Sequence, residues 1–366
     1  MKRRKICVYA ICKNEEQFAE RWMDSMGEAD LIVVTDTGST DRTVEKLRAK
    51  GATVYIDKID PWRFDTARNI SLGHVPDDVD ICVCTDLDEF FVAGWRDALE
   101  KAWTPDAVAG RYLYNWSLKP DGSPDVQFTI SKIHVKEGYR WVCPVHECLR
   151  YTGQKAGKYI ELPGIVLNHY PDHTKPRSSY LGLLELGVAE NPLDDRMAYY
   201  LGREYMYRSQ WEKCIEALKR HLSMPTAAWA EERCASMRWI AKAYDELGDA
   251  QQAYGWYFRA IAQAPGLRDP YAEFAMTAYR MKNWPLLYYL VKEAQKITEK
   301  SKVYVNMGYS WNERFDDLGA VCCYRLGLYE EALKHAQKAR EINPGDKRLE
   351  ENYRMIEKKL ENTEPR

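Results

Sequence analysis

Residues 80–91 read Asp80-Ile81-Cys82-Val83-Cys84-Thr85-Asp86-Leu87-Asp88-Glu89-Phe90-Phe91. The run Ile81–Thr85 is apolar and β-rich, which predicts a buried strand that ends abruptly in acids. Residues at the carboxyl end of such a strand lie at the lip of an α/β cleft, where ligands usually bind. Alternate strand residues point the same way, so we expect Asp86 and Asp88 to converge on one cation while Leu87 faces the core. Oxygen ligands in a partly hydrated site suit Mg²⁺ or Mn²⁺.

A second interpretation of the same acids is a cap on a helix near Gly94–Lys101. Acidic side chains near a helix N-terminus are stabilised by the helix dipole and need no metal. Taken alone, the acidic triplet favours this second interpretation. Other stretches of the chain must therefore decide between a cation site and a cap.

The flanking chain alternates β-rich runs with helical segments, which predicts βαβ units and a largely parallel sheet. The helical segments are Glu15–Met26, Asp41–Ala49 and Phe64–Leu72, with Asn14 and Thr40 as predicted N-caps. Beyond Thr85, antiparallel strands are predicted at Gly110–Trp116, Val126–Val135 and Arg140–Val142, so the sheet is expected to be mixed. The other predicted strands are Ile6–Cys12, Leu31–Thr35 and Thr53–Ile56.

Beyond Arg177 the β runs largely vanish and aromatic and alanine residues recur at helical spacings. In two stretches, alanine and proline residues fall at the same relative positions, and this spacing resembles the tetratricopeptide repeat. Leu201-Gly202 with Tyr205 suggests an earlier, degenerate copy. We expect Ala272–Ile297 to form an irregular helix pair, and an unrelated helical bundle is the alternative. The matching residues are Ala241, Tyr244, Ala253, Tyr257, Ala260 and Pro265 in one copy, and Ala320, Ala332, Ala339 and Pro344 in the other.

A second strand end is Leu31–Thr43, where a glycine turn at Gly38 precedes a predicted helix. Backbone donors at this turn and the Asp36 carboxylate are able to hold a nucleoside. A plain connection from strand to helix, with Asp and Thr as caps, is the alternative.

Four stretches in this order, Val8–Glu16, Asp36–Asp41, Phe64–Asn69 and Asp86–Asp88, closely resemble the motifs of family 2 glycosyltransferases of the GT-A fold. The resemblance covers roughly the first half of the chain. It implies an α/β GT-A fold, a Rossmann-like mixed sheet, followed by an all-α tetratricopeptide-like helical repeat domain. The implied domains are residues 1–176 and 177–366. Some relatives in the subgroup with such helices glycosylate peptides.

The same resemblance assigns roles to single residues. It implies that Asp88 ligates the metal and that Asp86 bridges ribose and metal. The implied donor-binding residues are Ile11, Asp36, Asp41, Arg68, Asn69 and Asp86.

The acceptor side offers Glu147 as the first choice of catalytic base, in the stretch Trp141–Leu149. A carboxylate that removes the acceptor proton as the nucleotide leaves gives a direct, inverting displacement. His146 is the other candidate, since histidine titrates near neutral pH and also binds diphosphates and metals. A histidine and a glutamate that only fix a strand by hydrogen bonds are the alternative.

A late histidine completes the metal shell in several GT-A enzymes, which makes His169 the third predicted metal ligand. A purely structural His169 is the alternative. Lys175 and Arg177 follow His169 closely in the sequence. They lie either in a loop that closes over phosphates or in a solvated linker. A zinc site is a further, weakly supported alternative because its residues show no recognised spacing: Cys143, His146, Cys148, His169 and His173.

Bulk properties narrow the class of protein. A chain of 366 residues with 45% apolar and 30% charged residues is typical of a globular protein of two domains. A net charge of -2 without a basic stripe argues against a nucleic-acid partner. Ten scattered cysteines without Cys-x-x-Cys spacing favour a reducing cytoplasm, and no stretch is long enough to span a bilayer. The basic start Lys2–Lys5 leaves room for peripheral contact with anionic lipid.

These observations predict a metal-dependent, inverting glycosyltransferase that uses a nucleotide-diphosphate sugar, with UDP favoured and Mn²⁺ or Mg²⁺ as cofactor. A peptide, protein or glycan is the expected acceptor. A non-catalytic, peptide-binding scaffold with a degenerate first domain is the rival prediction. A sugar nucleotidyltransferase would need a glycine-rich loop after the first strand, where the chain instead has Lys13-Asn14-Glu15-Glu16.

Overall fold

The structure is a computed structural model that describes residues 3–154, 157–172 and 179–362. The chain separates into two compact units, Met1–Pro192 and Leu193–Arg366. The predicted boundary at residues 176/177 lies outside the described residues, as do His173, Lys175 and Arg177. The division of domains at that point stays a prediction.

Ten strands of the first unit are described: β1 (Ile6–Cys12), β2 (Leu31–Asp36), β3 (Thr53–Ile56), β4 (Ile81–Cys84), β5 (Glu89–Phe91), β6 (Ala107–Leu118), β7 (Pro124–His134), β8 (Tyr139–Val142), β9 (Cys148–Tyr151) and β10 (Lys158–His169). Eight of these described strands form one sheet in the order β3-β2-β1-β4-β7-β6-β10-β5, and β8 pairs with β9 alone. The strands from β3 to β4 in this order run parallel. Strand β7 is antiparallel to both of its neighbours, and β10 runs parallel to β6 but antiparallel to β5.

Strand β1 shows why the sheet is covered on both faces. Val8 belongs to the apolar cluster that holds Trp22 and Trp95, whereas its neighbour Tyr9 belongs to the cluster of Leu72 and Trp141. Successive residues of a strand point to opposite faces, so an unbroken apolar run is buried on both. The helices of this unit are α1 (Glu16–Met26), α2 (Thr43–Ala49), α3 (Phe64–His74), α4 (Trp95–Ala102) and α5 (Tyr180–Glu190).

The predicted N-caps are wrong. Glu15 precedes α1 and Arg42 precedes α2, and neither side chain makes a capping bond. Asn14 has a φ of 55°, and its Oδ1 accepts a 2.8 Å hydrogen bond from the Thr40 backbone N–H. Asparagine tolerates this left-handed conformation, so Asn14 ties two loops together instead of starting a helix.

The longest strand that the sequence failed to predict is β10. It contains Pro163 and Gly164, which normally break a strand, and its register against β6 shifts between Glu161 and Val166. Proline and glycine inside a strand are typical of such a bulge. β10 also carries His169 at its carboxyl end, beside Glu89 of β5.

The second unit is helical: α6 (Asp195–Tyr207), α7 (Trp211–Ser223), α8 (Ala230–Glu246), α9 (Ala250–Gln263), α10 (Asp269–Arg280), α11 (Trp284–Gln295), a 3-10 turn (Gly308–Ser310), α12 (Arg314–Arg325), α13 (Tyr329–Ile342) and α14 (Lys347–Glu361). Consecutive helices pack as hairpins, α6 with α7, α8 with α9, α10 with α11 and α12 with α13. The segment Ala272–Ile297, predicted to be irregular, contains most of the regular hairpin α10–α11. The irregular stretch follows it instead, at residues 296–313.

Small residues allow the helices of a hairpin to approach closely. Ala241 of α8 and Ala253 and Ala260 of α9 are completely buried. A Cβ added at Gly202 of α6 would lie 2.3 Å from the side chain of Leu218 on α7. The alanine and glycine positions noticed in the sequence are thus contact points between paired helices. No helix within the described ranges is both long enough and apolar enough to cross a membrane.

Candidate functional site

Asp86 and Asp88 lie in a turn between β4 and β5, at the carboxyl edge of the sheet. The strand ends at Cys84, so the expected alternation along a continuing strand is wrong, although Leu87 is buried as predicted. Strand β5 separates these acids from α4, which removes the interpretation that they cap that helix. β4 lies between β1 and β7, and β5 lies against β10.

His169 faces Asp88 at this edge. Its Nε2 lies 3.4 Å from Asp88 Oδ2, and its Nδ1 lies 3.0 Å from the Trp116 carbonyl oxygen. A carbonyl oxygen only accepts hydrogen bonds, so in the neutral ring Nδ1 carries the proton. The unprotonated Nε2 then faces the Asp88 carboxylate. Burial alone would lower the pKa of His169, but the hydrogen bond and charge of Asp88 outweigh it and raise this pKa above its ordinary value.

Arg68 holds Asp86 from the other side. Its Nη2 donates to Asp86 Oδ1 over 2.8 Å, and its Nε donates to Glu147 Oε1. Only 6% of the Arg68 side chain is exposed, and its guanidinium lies 5.0 Å from the centre of the Trp141 ring. Burial alone would raise the pKa of Asp86, but the charges of Arg68 and Lys132 outweigh it and lower this pKa.

Lys132 and Glu89 belong to the site, and the sequence did not single them out. Lys132 Nζ lies 3.1 Å from Glu89 Oε1 and 3.6 Å from Asp86 Oδ2. Glu89 is buried and also accepts a 2.8 Å hydrogen bond from the Tyr114 hydroxyl. Glu89 stands directly after the acidic pair, which was a usable signal, whereas nothing near Lys132 in the chain marks it.

Asp36 and Asp41, expected at the nucleoside, accept hydrogen bonds from backbone groups of their own turn and, for Asp41, of the start of α1. Asp36 is buried, and its Oδ1 accepts from the backbone N–H groups of Gly38 and Ser39, each over 3.0 Å. Asp41 Oδ1 accepts from the Thr43 backbone N–H over 3.0 Å, and Oδ2 accepts from that of Glu16 over 3.2 Å. Both carboxylates therefore have a structural reason to be there, and their donor-binding role stays a prediction.

Asn69 is similarly engaged. Its Nδ2 donates to the Trp141 carbonyl and its Oδ1 accepts from the Trp141 N–H, both over 2.9 Å, so the amide fixes β8 to α3. Ile11 is half-buried in β1 and pairs with Thr35 of β2, away from the acidic turn in sequence. His146 has a φ of 50° and its ring lies 5.8 Å from that of Tyr180.

The structure therefore brings together Asp86, Asp88, His169, Arg68 and Glu147. Among the described residues, one group of three His, Cys, Asp or Glu side chains has its ligand atoms within 4.8 Å of one another, and that group lies in the second unit. The ligand atoms of Asp86, Asp88 and His169 therefore do not all lie within this distance of one another. The zinc alternative of Cys143, His146, Cys148 and His169 likewise forms no such group in the described chain, and His173 lies outside it.

The charges at this edge suit a cation. The carboxylates of Asp86, Asp88, Glu89 and Glu147 outnumber the permanent cations Arg68 and Lys132. Two carboxylates and an imidazole nitrogen that already has its other nitrogen bound to a carbonyl form an ordinary donor set for a divalent metal. These side chains have to move closer together to place their donors on one ion.

Comparisons with known proteins found neither a matching family model nor a matching curated protein. Similar solved structures include YrrB, described as a TPR protein with an unusual peptide-binding site, at 14% identity over 50% of this chain and 85% of that one, with a TM-score of 0.39. MamA is 17% identical over 53% of this chain and 99% of that one, with a TM-score of 0.37. Yeast Tom70 is 11% identical over 52% of this chain and 38% of that one, with a TM-score of 0.38.

These comparisons correct the family assignment. The prediction that the chain is a family 2 glycosyltransferase of the GT-A fold is wrong, because the neighbours found are tetratricopeptide proteins and none of those described above is a glycosyltransferase. The physical reason lies in the motifs. Asp36, Asp41 and Asn69 bond backbone groups of nearby turns and strands, a need that any mixed sheet can impose on such residues.

The fold class is corrected for the same reason. The predicted class was a GT-A fold followed by a tetratricopeptide-like domain. The described residues instead form a unit with an eight-stranded mixed sheet and a unit of helical hairpins. The tetratricopeptide likeness covers about half of the chain.

Proposed function

We propose that the first unit binds a divalent cation at Asp86, Asp88 and His169, and that the protein transfers a sugar from a nucleotide-diphosphate donor. The observation that carries the proposal is the contact between His169 and Asp88 beside Asp86, at the carboxyl edge of the sheet. Ligands of α/β sheets usually bind at that edge. This geometry supports the cation site, and the nucleotide-sugar donor is the prediction made from the sequence.

Each residue has a stated task. Asp88 and His169 Nε2 supply two donors, and Asp86 supplies a third through Oδ2, which faces Lys132 at 3.6 Å. When bound, Mn²⁺ or Mg²⁺ would supply positive charge to a leaving diphosphate. Arg68 keeps Asp86 ionised and oriented, and UDP is our preferred nucleotide.

The transfer step requires a base on the acceptor side. The acceptor loses its proton to Glu147 or His146, the acceptor atom bonds to the anomeric carbon, and the bond to the diphosphate breaks with its electron pair. Inversion follows from one displacement. In the described residues no hydrogen bond engages Glu147 Oε2, while Oε1 is held by Arg68, so the Arg68 contact orients the second oxygen.

The decisive experiment measures thermal stability with a panel of nucleotide sugars, with and without Mn²⁺. A ligand that binds the folded protein raises its stability according to affinity and concentration. We expect stabilisation that requires both components, and Asp88→Asn is expected to abolish it. The matched control is Asp97→Asn on the exposed side of α4, which should leave it unchanged. Metal-dependent binding that survives Asp88→Asn would reject the site.

Turnover is tested separately from binding. Glu147→Gln is expected to keep donor binding and to lose hydrolysis or transfer of the bound sugar. Full activity in this variant would reject Glu147 as the base and leave His146→Gln as the next variant to measure.

A peptide-binding scaffold is the second candidate, favoured by the hairpins of the second unit. In that case the protein catalyses no reaction, and the acidic side chains of the turn only stabilise the fold. Calorimetry decides between the two candidates: no binding of any nucleotide sugar with Mn²⁺ would favour the scaffold, whereas hydrolysis of a nucleotide sugar would exclude it. A peptide or glycan acceptor belongs to the first candidate.

A further inference from the structure

A second cluster of metal-binding side chains lies wholly within the helical unit. Cys323 of α12 and Glu331 and His335 of α13 place a thiol, a carboxylate and an imidazole so that their ligand atoms lie within 4.8 Å of one another. Glu331 and His335 are four residues apart, which puts them on the same face of α13. No motif in the sequence marks these three residues.

The hairpin fixes the cluster at short range. The Leu328 N–H donates to the Cys323 carbonyl over 2.9 Å, and Gly327 takes a φ of 79° in the turn. A Cβ added at Gly319 of α12 would lie 2.9 Å from the His335 ring, so the imidazole lies directly against the backbone of the partner helix. Cys323 and His335 are both buried.

The orientation of His335 is the one expected of a metal ligand. Its Nδ1 lies 2.9 Å from Asp316 Oδ1, which assigns the proton to Nδ1 and leaves the lone pair on Nε2. Ligating histidines almost always donate their other N–H to a carboxylate or carbonyl. Asp316 is itself held by Gln295 Nε2 over 2.9 Å, so this support is built into the fold.

Glu331 has two competing partners, Lys292 and the Tyr288 hydroxyl, which donates to Glu331 Oε2 over 3.1 Å. Lys292 Nζ lies 2.7 Å from Glu331 Oε1, but 44% of the Lys292 side chain is exposed. Exposed ion pairs contribute little to stability, so a metal ion can displace this ammonium into solvent. Ligands about 2.0 to 2.3 Å from a tetrahedral ion lie closer together than 4.8 Å, so shifts on the order of 1 Å complete the site.

We propose that Cys323, Glu331 and His335 bind one thiophilic divalent cation, with Zn²⁺ the best match, and leave a fourth position to water. A thiolate, an imidazole and a carboxylate are all ordinary zinc ligands. Binding converts the Cys323 thiol to a thiolate and releases one proton to solvent. The site is separate from the proposed cation at Asp86 and Asp88, which has only oxygen and nitrogen donors.

Cobalt is the probe because a cysteine thiolate bound to Co²⁺ gives an intense near-ultraviolet charge-transfer band. The reduced, metal-stripped full chain carries Cys143→Ser and Cys148→Ser, which removes the two partly exposed thiols. We expect one Co²⁺ per chain with this band and its loss on addition of Zn²⁺. Cys323→Ser should abolish the band. The matched control Cys322→Ser removes the adjacent thiol, which faces the Gly319 carbonyl at 3.3 Å, and should keep the band.

Two further variants protect the test from a folding failure. Glu331→Gln changes a partly exposed side chain and should weaken the metal affinity while circular dichroism stays unchanged. Asp316→Asn should weaken the affinity by about tenfold to hundredfold through its effect on His335. The proposal is overturned if the parent chain shows no thiolate band, or if a folded Cys323→Ser variant shows the same band. Mn²⁺-dependent nucleotide binding is expected to be the same in Cys323→Ser, which separates this result from the proposed function.

Discussion

The guanidinium of Arg68 joins Asp86 to Glu147, with 2.8 Å between Arg68 Nη2 and Asp86 Oδ1. Asp86 stands in the turn after β4, and Glu147 stands in the loop before β9, 79 residues beyond Arg68. One buried cation therefore holds two carboxylates that the sequence assigned to different tasks.

Arg68→Met is expected to lower the free energy of unfolding by about 3 kcal/mol, because it leaves the nearly buried Glu147 and the partly exposed Asp86 without their partner. Urea unfolding measures the loss. The matched control is Arg42→Met, whose ion pair with Glu45 has both side chains about two-thirds exposed, so its loss should change the stability little. Equal losses in the two variants would contradict the importance of burial here.

His134 predicts a pH dependence of stability. It is completely buried, with Nε2 2.8 Å from the Tyr9 hydroxyl and Nδ1 2.7 Å from the Val135 carbonyl. Burial lowers the pKa of His134 to about 4. The unfolded chain, with a histidine pKa of about 6.5, then binds more protons than the folded chain between these values.

The contribution of His134 to the free energy of unfolding is therefore fully present above pH about 6.5 and falls as the pH drops towards 4. The total loss from this group is about 3 kcal/mol. Urea unfolding at several pH values, compared with His134→Gln, checks the contribution. The difference between the two curves should change over this window and stay constant below it. A constant difference from pH 7 to pH 4 would disprove the low pKa.

Two helical glycines should respond oppositely to alanine. Gly202→Ala brings a Cβ within 2.3 Å of the Leu218 side chain and is expected to destabilise the protein by about 1 to 3 kcal/mol through overpacking. Gly255→Ala in α9 meets no heavy atom within 4 Å and should stabilise it by about 0.5 to 1 kcal/mol. Thermal unfolding of both variants gives the signs, and a stabilised Gly202→Ala would show that α6 and α7 are not so closely packed.

Thiol labelling tests the burial of the cysteines. None of the ten cysteines, all within the described residues, is in a disulfide, and eight are buried. Burial raises the pKa of Cys84 to about 11 and that of Cys7 to about 12, so these thiols are protonated at neutral pH and are poor nucleophiles. Iodoacetamide should label Cys143 and Cys148 in the native protein and all ten after unfolding, as counted by mass spectrometry. Rapid native labelling of Cys84 would contradict the buried sheet.

Local patterns in the sequence predicted much of the fold. The run Ile6–Cys12 became β1 with the predicted bounds, and the helices α1, α2 and α3 begin or end within a few residues of their predicted limits. The paired-helix positions Ala241, Ala253 and Ala260 are buried as a repeat requires. These features depend on neighbours a few residues away, which periodicity reports directly.

The site was predictable only in part. His169 contacts Asp88 in the turn that also holds Asp86, yet Lys132 and Glu89 were missed and Asn69 bonds to Trp141. Four short motifs in the right order suggested a family that the comparisons do not support. Short motifs mark the ends of strands and the starts of helices, and those positions recur in many unrelated sheets.

The sequence by itself determined the alternation of strands and helices, the paired helices of the second half and the acidic turn after Ile81–Thr85, since each follows from side chains adjacent in the chain. Only the tertiary structure decided that Arg68 contacts Glu147, that Lys132 contacts Glu89, and that Cys323 lies beside Glu331 and His335. Such contacts depend on strand order and helix packing. These are set by the burial of apolar surface over the whole unit, which no local stretch of sequence records.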